Sequence, residues 1–331
     1  MTSSLIDSDL ESKQQSDRSK KMTDQSKGSS RMEHVDGIIP RRRRARPLPY
    51  ALLLPAVAVL VLMLGYPIGR LFALSLEKFG LKQQFGAAAD FVGLKNFRSI
   101  FHDAEFWAVL RRTIVFCAVN VALTMALGMA IALLLKRLGA KMRLLVSLGL
   151  MLAWSMPALA STVIWQWIFD TQYGVANWAL GRQGESWLSN PLTFYFVATI
   201  IVVWMGIPFI AFTLYAGLTQ IPEEMMEAAA IDGARPWQRF RDIVVPVLKP
   251  IILILTSLSV LWDFRVFTQV YVLQRAGGIT RDTNLLGVYA YRTSFGGNHF
   301  DKGAAIAIVM VAITVLMTMF YLRSMTRTEE L

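Results

Sequence analysis

Six separate runs of mostly apolar residues dominate the chain, near positions 50–76, 113–135, 144–169, 192–216, 248–272 and 303–322. An α-helix rises 1.5 Å per residue, so about 20 such residues are what it takes to cross the roughly 30 Å of hydrocarbon in a bilayer. Each run is apolar around its whole circumference, which suits lipid and is hard to place in a soluble core. None alternates between polar and apolar residues, so a transmembrane barrel is excluded. Composition agrees: 54% of the 331 residues are hydrophobic and only 17% are charged, where an ordinary soluble domain carries about 25% charge. The sequence therefore predicts an all-α polytopic membrane protein with six transmembrane helices.

The rest of the chain divides around those runs. Residues 1–40 carry six basic and seven acidic groups and few large apolar side chains, too little to offset the entropy of ordering. We expect a disordered polar tail over 1–47, a membrane domain over 48–323 and a short tail over 324–331. The first apolar run begins only near Leu48, too late for a secretory signal. Arg41, Arg42, Arg43, Arg44 and Arg46 stand just before it and read as a cytoplasmic anchor rather than a nucleic-acid patch. Lys136, Arg137, Lys141 and Arg143 crowd the loop between the second and third runs, whereas 170–191 has only Arg182 as a base. Positive residues stay inside, so the 136–143 loop and both termini, the latter with Arg323 and Arg327, are expected to be cytoplasmic. Cys117 is the single cysteine, and His34, His102 and His299 are scattered. Disulfides are excluded, and no metal site is expected.

Between the fourth and fifth runs, residues 221–246 do not read as a simple linker. Pro222 suits a first helical position, Glu223 and Glu224 follow where the helix dipole favours negative charge, and Met225 to Ala230 form helix strongly. Gly233 permits the left-handed residue that ends many helices. Pro236 can open a second short helix and Pro246 can close it before the next span. A helix, a tight bend and a second helix are expected, with small Ala228, Ala229 and Ala230 allowing close approach and Met225, Met226 and Ile231 offering apolar surface. Local chemistry alone leaves two readings, a docking element or an amphipathic connector resting on lipid.

This loop resembles the EAA signature of permease subunits in binding-protein-dependent ABC importers: Glu-Ala-Ala, then Gly, then Ile-x-Leu-Pro. Here these are Glu227, Ala228, Ala229, Gly233 (after Asp232), Ile243, Val245 and Pro246, with Val245 standing for the usual Leu. The resemblance runs from about 50 to 323 and points to the carbohydrate-uptake, maltose-type branch through Phe91-Val-Gly-Leu-Lys-Asn-Phe97, Gly174-Val-Ala-Asn177, Trp187-Leu-Ser-Asn-Pro191, Trp204-Met-Gly-Ile-Pro208 and Phe267 to Leu273. Ala276-Gly-Gly-Ile279 departs from the family's Gly-Gly-Pro. The resemblance implies a multi-pass protein of a bacterial-type cytoplasmic membrane. It also implies that the EAA residues, with Asp232, couple to a groove of a cytoplasmic ATPase.

No Gly-x-x-x-x-Gly-Lys-Ser/Thr phosphate cradle occurs in the chain, so ATP and Mg would be used by a partner and this chain is not expected to be an enzyme. The implied assembly has a second homologous permease, two ABC ATPase subunits, an extracytoplasmic solute-binding protein and a sugar. Polar and aromatic residues interrupt two spans: Trp204, Gly206, Pro208, Phe209 and Tyr215, then Ser259, Trp262, Asp263, Arg265 and Gln269. Ser259 and Asp263 share a helix face, and a charge near a span's centre costs about 2.5–3.5 kcal/mol on insertion scales, too much for an idle lipid-facing position. Matching the family motifs places Gly206, Phe209, Ser259 and Asp263 at solute contacts. The alternative for Asp263 is an ion pair with the second permease. Trp165 and Trp167 read as interface-belt aromatics, and Cys117, Met125 and Gly128 as packing. The rival functions are import of glycerol phosphate or another small polar solute, an ion-coupled secondary transporter, and a membrane scaffold or intramembrane enzyme.

Overall fold

The computed structural model describes residues 48–329. The tail expected over 1–47, its arginine run included, lies outside the described residues. Two compact units divide between Met63 and Leu64. The first is represented by helix α1 (Leu48–Leu60), which carries Pro55; from Leu52 onward its side chains are all exposed.

The second unit begins with α2 (Tyr66–Leu76). A two-residue antiparallel ladder follows, β1 (Glu77–Lys78) against β2 (Asp90–Phe91), a small exception to an otherwise helical chain. Asn96, at the start of the surface helix α3 (Lys95–Phe101), holds this corner by donating to the carbonyls of Ser75 (3.0 Å) and Glu77 (2.8 Å).

Helix α4 (Ala104–Arg137) starts nine residues before its apolar run because Asp103 caps it, accepting from the Glu105 amide at 2.9 Å. Lys136 and Arg137 fall in its last turn, where the dipole favours them. Helix α8 (Pro191–Leu218), capped by Asn190, is the most buried span and lies against α4. Their approach is close: a Cβ on Gly128 would stand 2.5 Å from Ile210 Cγ2, and one on Gly206 would stand 2.9 Å from Thr124 Cγ2. Around α8 the core forms one cluster near Phe194, Val197 and Ile201 and another near Ile210, Leu214 and Leu218.

The third expected span, 144–169, is not one straight helix. α5 (Ala140–Ser155) and α6 (Ala158–Ile168) meet at 105°. Pro157 forces the residue before it out of helical geometry, and Met156 is accordingly extended (φ −73°, ψ 131°). Beyond the bend, Trp165 stacks on Phe169 (6.1 Å) and meets Trp204 edge-on (5.8 Å) within the core. Trp165 is thus half-buried and packs against the core, whereas Trp167 is exposed. Between α6 and α8, around the short helix α7 (Val175–Leu180), buried Asn177 donates to the carbonyls of Asp170, Thr171 and Glu185 and accepts from the Trp187 indole.

After α9 (Glu223–Ile231) and α10 (Pro236–Arg239), a π-helical turn (Phe240–Val244) leads into α11 (Val245–Asp263). Pro246 does not end a helix there, contrary to expectation. The Val245 amide reaches back five residues to the Phe240 carbonyl, and the widened turn admits a residue with no amide to offer. The fifth expected span, 248–272, also breaks: α11 ends at Asp263 and α12 (Thr268–Arg275) starts after the irregular Phe264–Phe267. α13 (Leu286–Tyr291) and α14 (Phe300–Glu329) complete the chain. Among the described residues, five helical stretches have the length and hydropathy to cross a membrane, against the six expected, and the count reaches six only if the bent α5–α6 pair is one broken span and not a re-entrant loop.

Candidate functional site

Two places gather the residues singled out by sequence. The first is the 221–246 loop. Pro222 sits one position before the helix rather than in it, and α9 opens with Glu223 and Glu224 in the first turn. Gly233 ends α9 with φ +79°. The Ala234 amide donates to the Ala229 carbonyl (2.9 Å) and the Gly233 amide to Ala230 (3.1 Å), the paired bonds of a Schellman motif. The Arg235 amide is taken up by Gln238 Oε1 at 2.7 Å, which starts α10. The bend between the two helices is thus held by local backbone hydrogen bonds.

Their faces differ. Met226, Phe240 and Ile243 turn inward onto the cluster of Ile210, Leu214, Leu218 and Leu248. Glu227, Ala228, Asp232, Gly233 and Pro246 are exposed and Ala229 half-buried. Ile231 at 87% and Trp237 at 68% exposure stand out as large apolar side chains left uncovered by the rest of the chain. Single such residues are ordinary, but two beside an alanine run form a patch able to take a partner.

The basic 136–143 loop lies at this same end of the bundle. Lys136 Nζ donates to the Leu218 carbonyl (3.1 Å) and Arg143 Nη1 to the Tyr215 hydroxyl (2.9 Å). Arg137 lines a cavity of about 500 Å³ with Met226, Trp237, Arg239 and Phe240. Trp237 and Phe240, 5.4 Å apart, went unremarked in sequence because nothing in their spacing distinguishes them from interfacial aromatics.

The second place is the end of α11. Ser259 and Asp263 are 4% and 9% exposed, so both face protein rather than lipid. The Cys117 thiol donates to Val260 O at 3.6 Å, which lays this face of α11 on α4. Among the described residues Asp263 has no ion-pair partner. Trp262, its neighbour, meets Phe209 (5.2 Å), which also meets Trp154 (6.0 Å). Phe209 thus joins an aromatic group at the break in α11, whereas Gly206 faces Thr124. Arg265 is exposed and folds its Nε back onto the Leu261 carbonyl (2.9 Å). Gln269 reaches Met205 Sδ at 3.6 Å. No group of three or more His, Cys, Asp or Glu side chains is placed to hold a metal among the described residues.

The family described as "binding-protein-dependent transport system inner membrane component" matches residues 122–329. The diacetylchitobiose uptake system permease protein DasB of Streptomyces coelicolor is 42% identical over 85% of this chain and 88% of its own length. The trehalose/maltose transport system permease protein MalF of Thermococcus litoralis is 32% identical over 85% of this chain and 94% of its own. Among solved structures, a chain of a bacterial ABC transporter involved in the import of the acidic polysaccharide alginate superposes with a TM-score of 0.71 at 20% identity, covering 85% of this chain and 95% of that one. At that identity the likeness speaks for the fold.

Proposed function

The chain belongs to the family of binding-protein-dependent transport system inner membrane components, and on that premise we propose that it is the membrane-spanning permease subunit of an ATP-driven importer of a saccharide. The observation that carries this is the 42% identity to a diacetylchitobiose permease across nearly the whole of both chains. Trehalose, maltose and sulfoquinovosyl glycerol permeases at 32% identity support it.

The coupling element in this reading is α9 with its Schellman bend. Glu227, Ala228, Ala229, Asp232 and Gly233 meet an ATPase subunit, while Met226 and Ile243 tie the loop to α4, α8 and α11 through the core. Ile243 and Pro246 set the hinge where the loop enters α11. ATP and Mg bound by that subunit supply the energy; this chain's part is to convert its movement into a change of access between the two membrane faces. The 136–143 and 221–246 loops, joined at one end of the bundle, lie in the cytoplasm, as do both termini. A second, homologous permease completes the pathway, and an extracytoplasmic binding protein delivers the solute.

At the break in α11, buried Ser259 and Asp263 offer hydrogen-bonding groups, and Phe209 offers a flat apolar face, the mixture a hydroxylated ring requires. Gly206 serves this site by holding α4 against α8. Reconstitution of the assembly in proteoliposomes, with a panel of neutral di- and trisaccharides outside and ATP on the ATPase side, tests the reading. Uptake that needs ATP, the ATPase and the binding protein is the expected result. Uptake by this chain alone under an ion gradient would overturn it.

A further inference from the structure

The two broken spans meet at a place to which the sequence assigned no solute contact. α6, beyond the 105° bend, packs against α12, beyond the break after Asp263. Beside their contact opens a cleft of about 360 Å³ lined by Leu159, Gln166, Phe267, Thr268, Tyr271 and Arg275, among others. That volume lies at the lower end of the roughly 300–1,000 Å³ of small-molecule sites. Irregular backbone at membrane depth is tolerated where it lines such a space.

The lining is divided by chemistry. Phe267 and Tyr271 lie nearly parallel, 14° apart with centroids 5.3 Å from one another, and form an apolar wall. Gln166, Thr268 and Arg275 supply donors, and the first two also acceptors. Among the described residues none of these three side chains makes a hydrogen bond or ion pair within the chain. The rings continue outward from the wall: Tyr271 to Tyr291 (5.3 Å), Tyr291 to Phe295 (4.9 Å), Phe295 to Phe300 (5.7 Å) and Phe300 to Phe79 (6.2 Å), with Tyr291 and Phe295 exposed.

We propose that this cleft is a second saccharide subsite, separate from the Ser259–Asp263 site, in which a sugar ring rests on the Phe267–Tyr271 wall and hydrogen-bonds to Gln166, Thr268 and Arg275. The inference rests on the saccharide reading of the function. It places the subsite on the side of the α11 break away from the coupling loop, so solute entering from outside meets it before Asp263. An apolar ligand would make no use of the three polar side chains, and a bare ion would leave the aromatic wall unused. A ring with one apolar face and a rim of hydroxyls matches both.

The test uses the assembled importer and the disaccharide it takes up fastest. Tyr271→Leu should raise the KM for uptake at least about threefold, the scale of losing one aromatic contact, with kcat unchanged, while Tyr271→Phe stays near wild type. In a Cys117→Ala background, which removes the chain's single cysteine, Thr268→Cys should react with N-ethylmaleimide, and saturating disaccharide should slow that reaction. If Tyr271→Leu fails to assemble, the protection measurement decides. Unchanged KM or unprotected labelling in an importer that still transports saccharide overturns the subsite and leaves the function standing. Failure of the wild type to transport any saccharide overturns both.

Discussion

Replacing Gly233 by alanine isolates the mechanical role of the coupling loop from its chemistry. The residue has φ +79°, where an L-side chain costs about 1–2 kcal/mol. A Cβ built there meets nothing within 4 Å, so the cost is conformational and contains no clash. The loop can accept that strain, or it can leave the left-handed conformation and lose the bonds from Ala234 to Ala229 and from Gly233 to Ala230, each worth about 0.5–1.5 kcal/mol. The strain shifts the equilibrium between the left-handed, docking-ready geometry and its alternatives by about 5- to 30-fold against it. The loop is exposed, so insertion of the spans should be unaffected. The assay is affinity of the solubilised permease for its ATPase subunit, read beside ATP-dependent uptake, in a series at this one position. Asparagine, which tolerates the left-handed region, should fall between glycine and alanine. Proline, locked near φ −65°, should abolish both signals. Alanine equal to wild type, or asparagine worse than alanine, would refute the reasoning, since no property other than backbone handedness orders the three that way.

Glu227→Lys should abolish uptake while the protein still inserts and pairs with the second permease, checked by co-purification in mild detergent; normal uptake removes the coupling role. Asp263→Asn should shift the KM or the saccharide preference of an assembled importer, and loss of assembly alone would favour an ion pair with the second permease instead. Gly206→Val should destabilise the α4–α8 contact by about 1–3 kcal/mol, as overpacking does, and Thr124→Ser should restore part of the lost thermal stability by withdrawing the methyl 2.9 Å away. Asp170, outside the spans, has its carboxyl held below the usual range, chiefly by the amide of Tyr173 and next by that of Gln172. A carboxylate with a lowered folded value stabilises its loop above its unfolded value, near about 3.9, and loses that contribution as pH falls through the folded one. Protection of the Gln172 and Tyr173 amides against hydrogen exchange, taken relative to their intrinsic rates at each pH, should therefore fall on acidification below about pH 4, and Asp170→Asn should flatten the response.

The rough place of the apolar spans was legible in the sequence because lipid imposes a one-dimensional rule: about 20 apolar residues per crossing, whatever lies beside them. The helix–bend–helix of 221–246 was legible for a related reason, since acidic first-turn residues, an alanine run and a glycine act within a few positions of each other. The role of Asn177 and Asn96 was not: each residue holds carbonyls from segments several to twenty positions away, which no local pattern predicts. Hydropathy also gave no sign that the third span bends, because the residues flanking Pro157 are as apolar as those of a continuous helix, and the polar Asp263, Arg265 and Gln269 marked the fifth span without showing that its helix stops there. Only three-dimensional packing decided that Gly206 faces Thr124, that Trp165 packs against the core, and that the fragments beyond both breaks border a polar-rimmed cleft. Transfer into lipid depends on each segment's own composition, but the shape of a void depends on which side chains fail to meet, and that is a property of pairs distant in the chain.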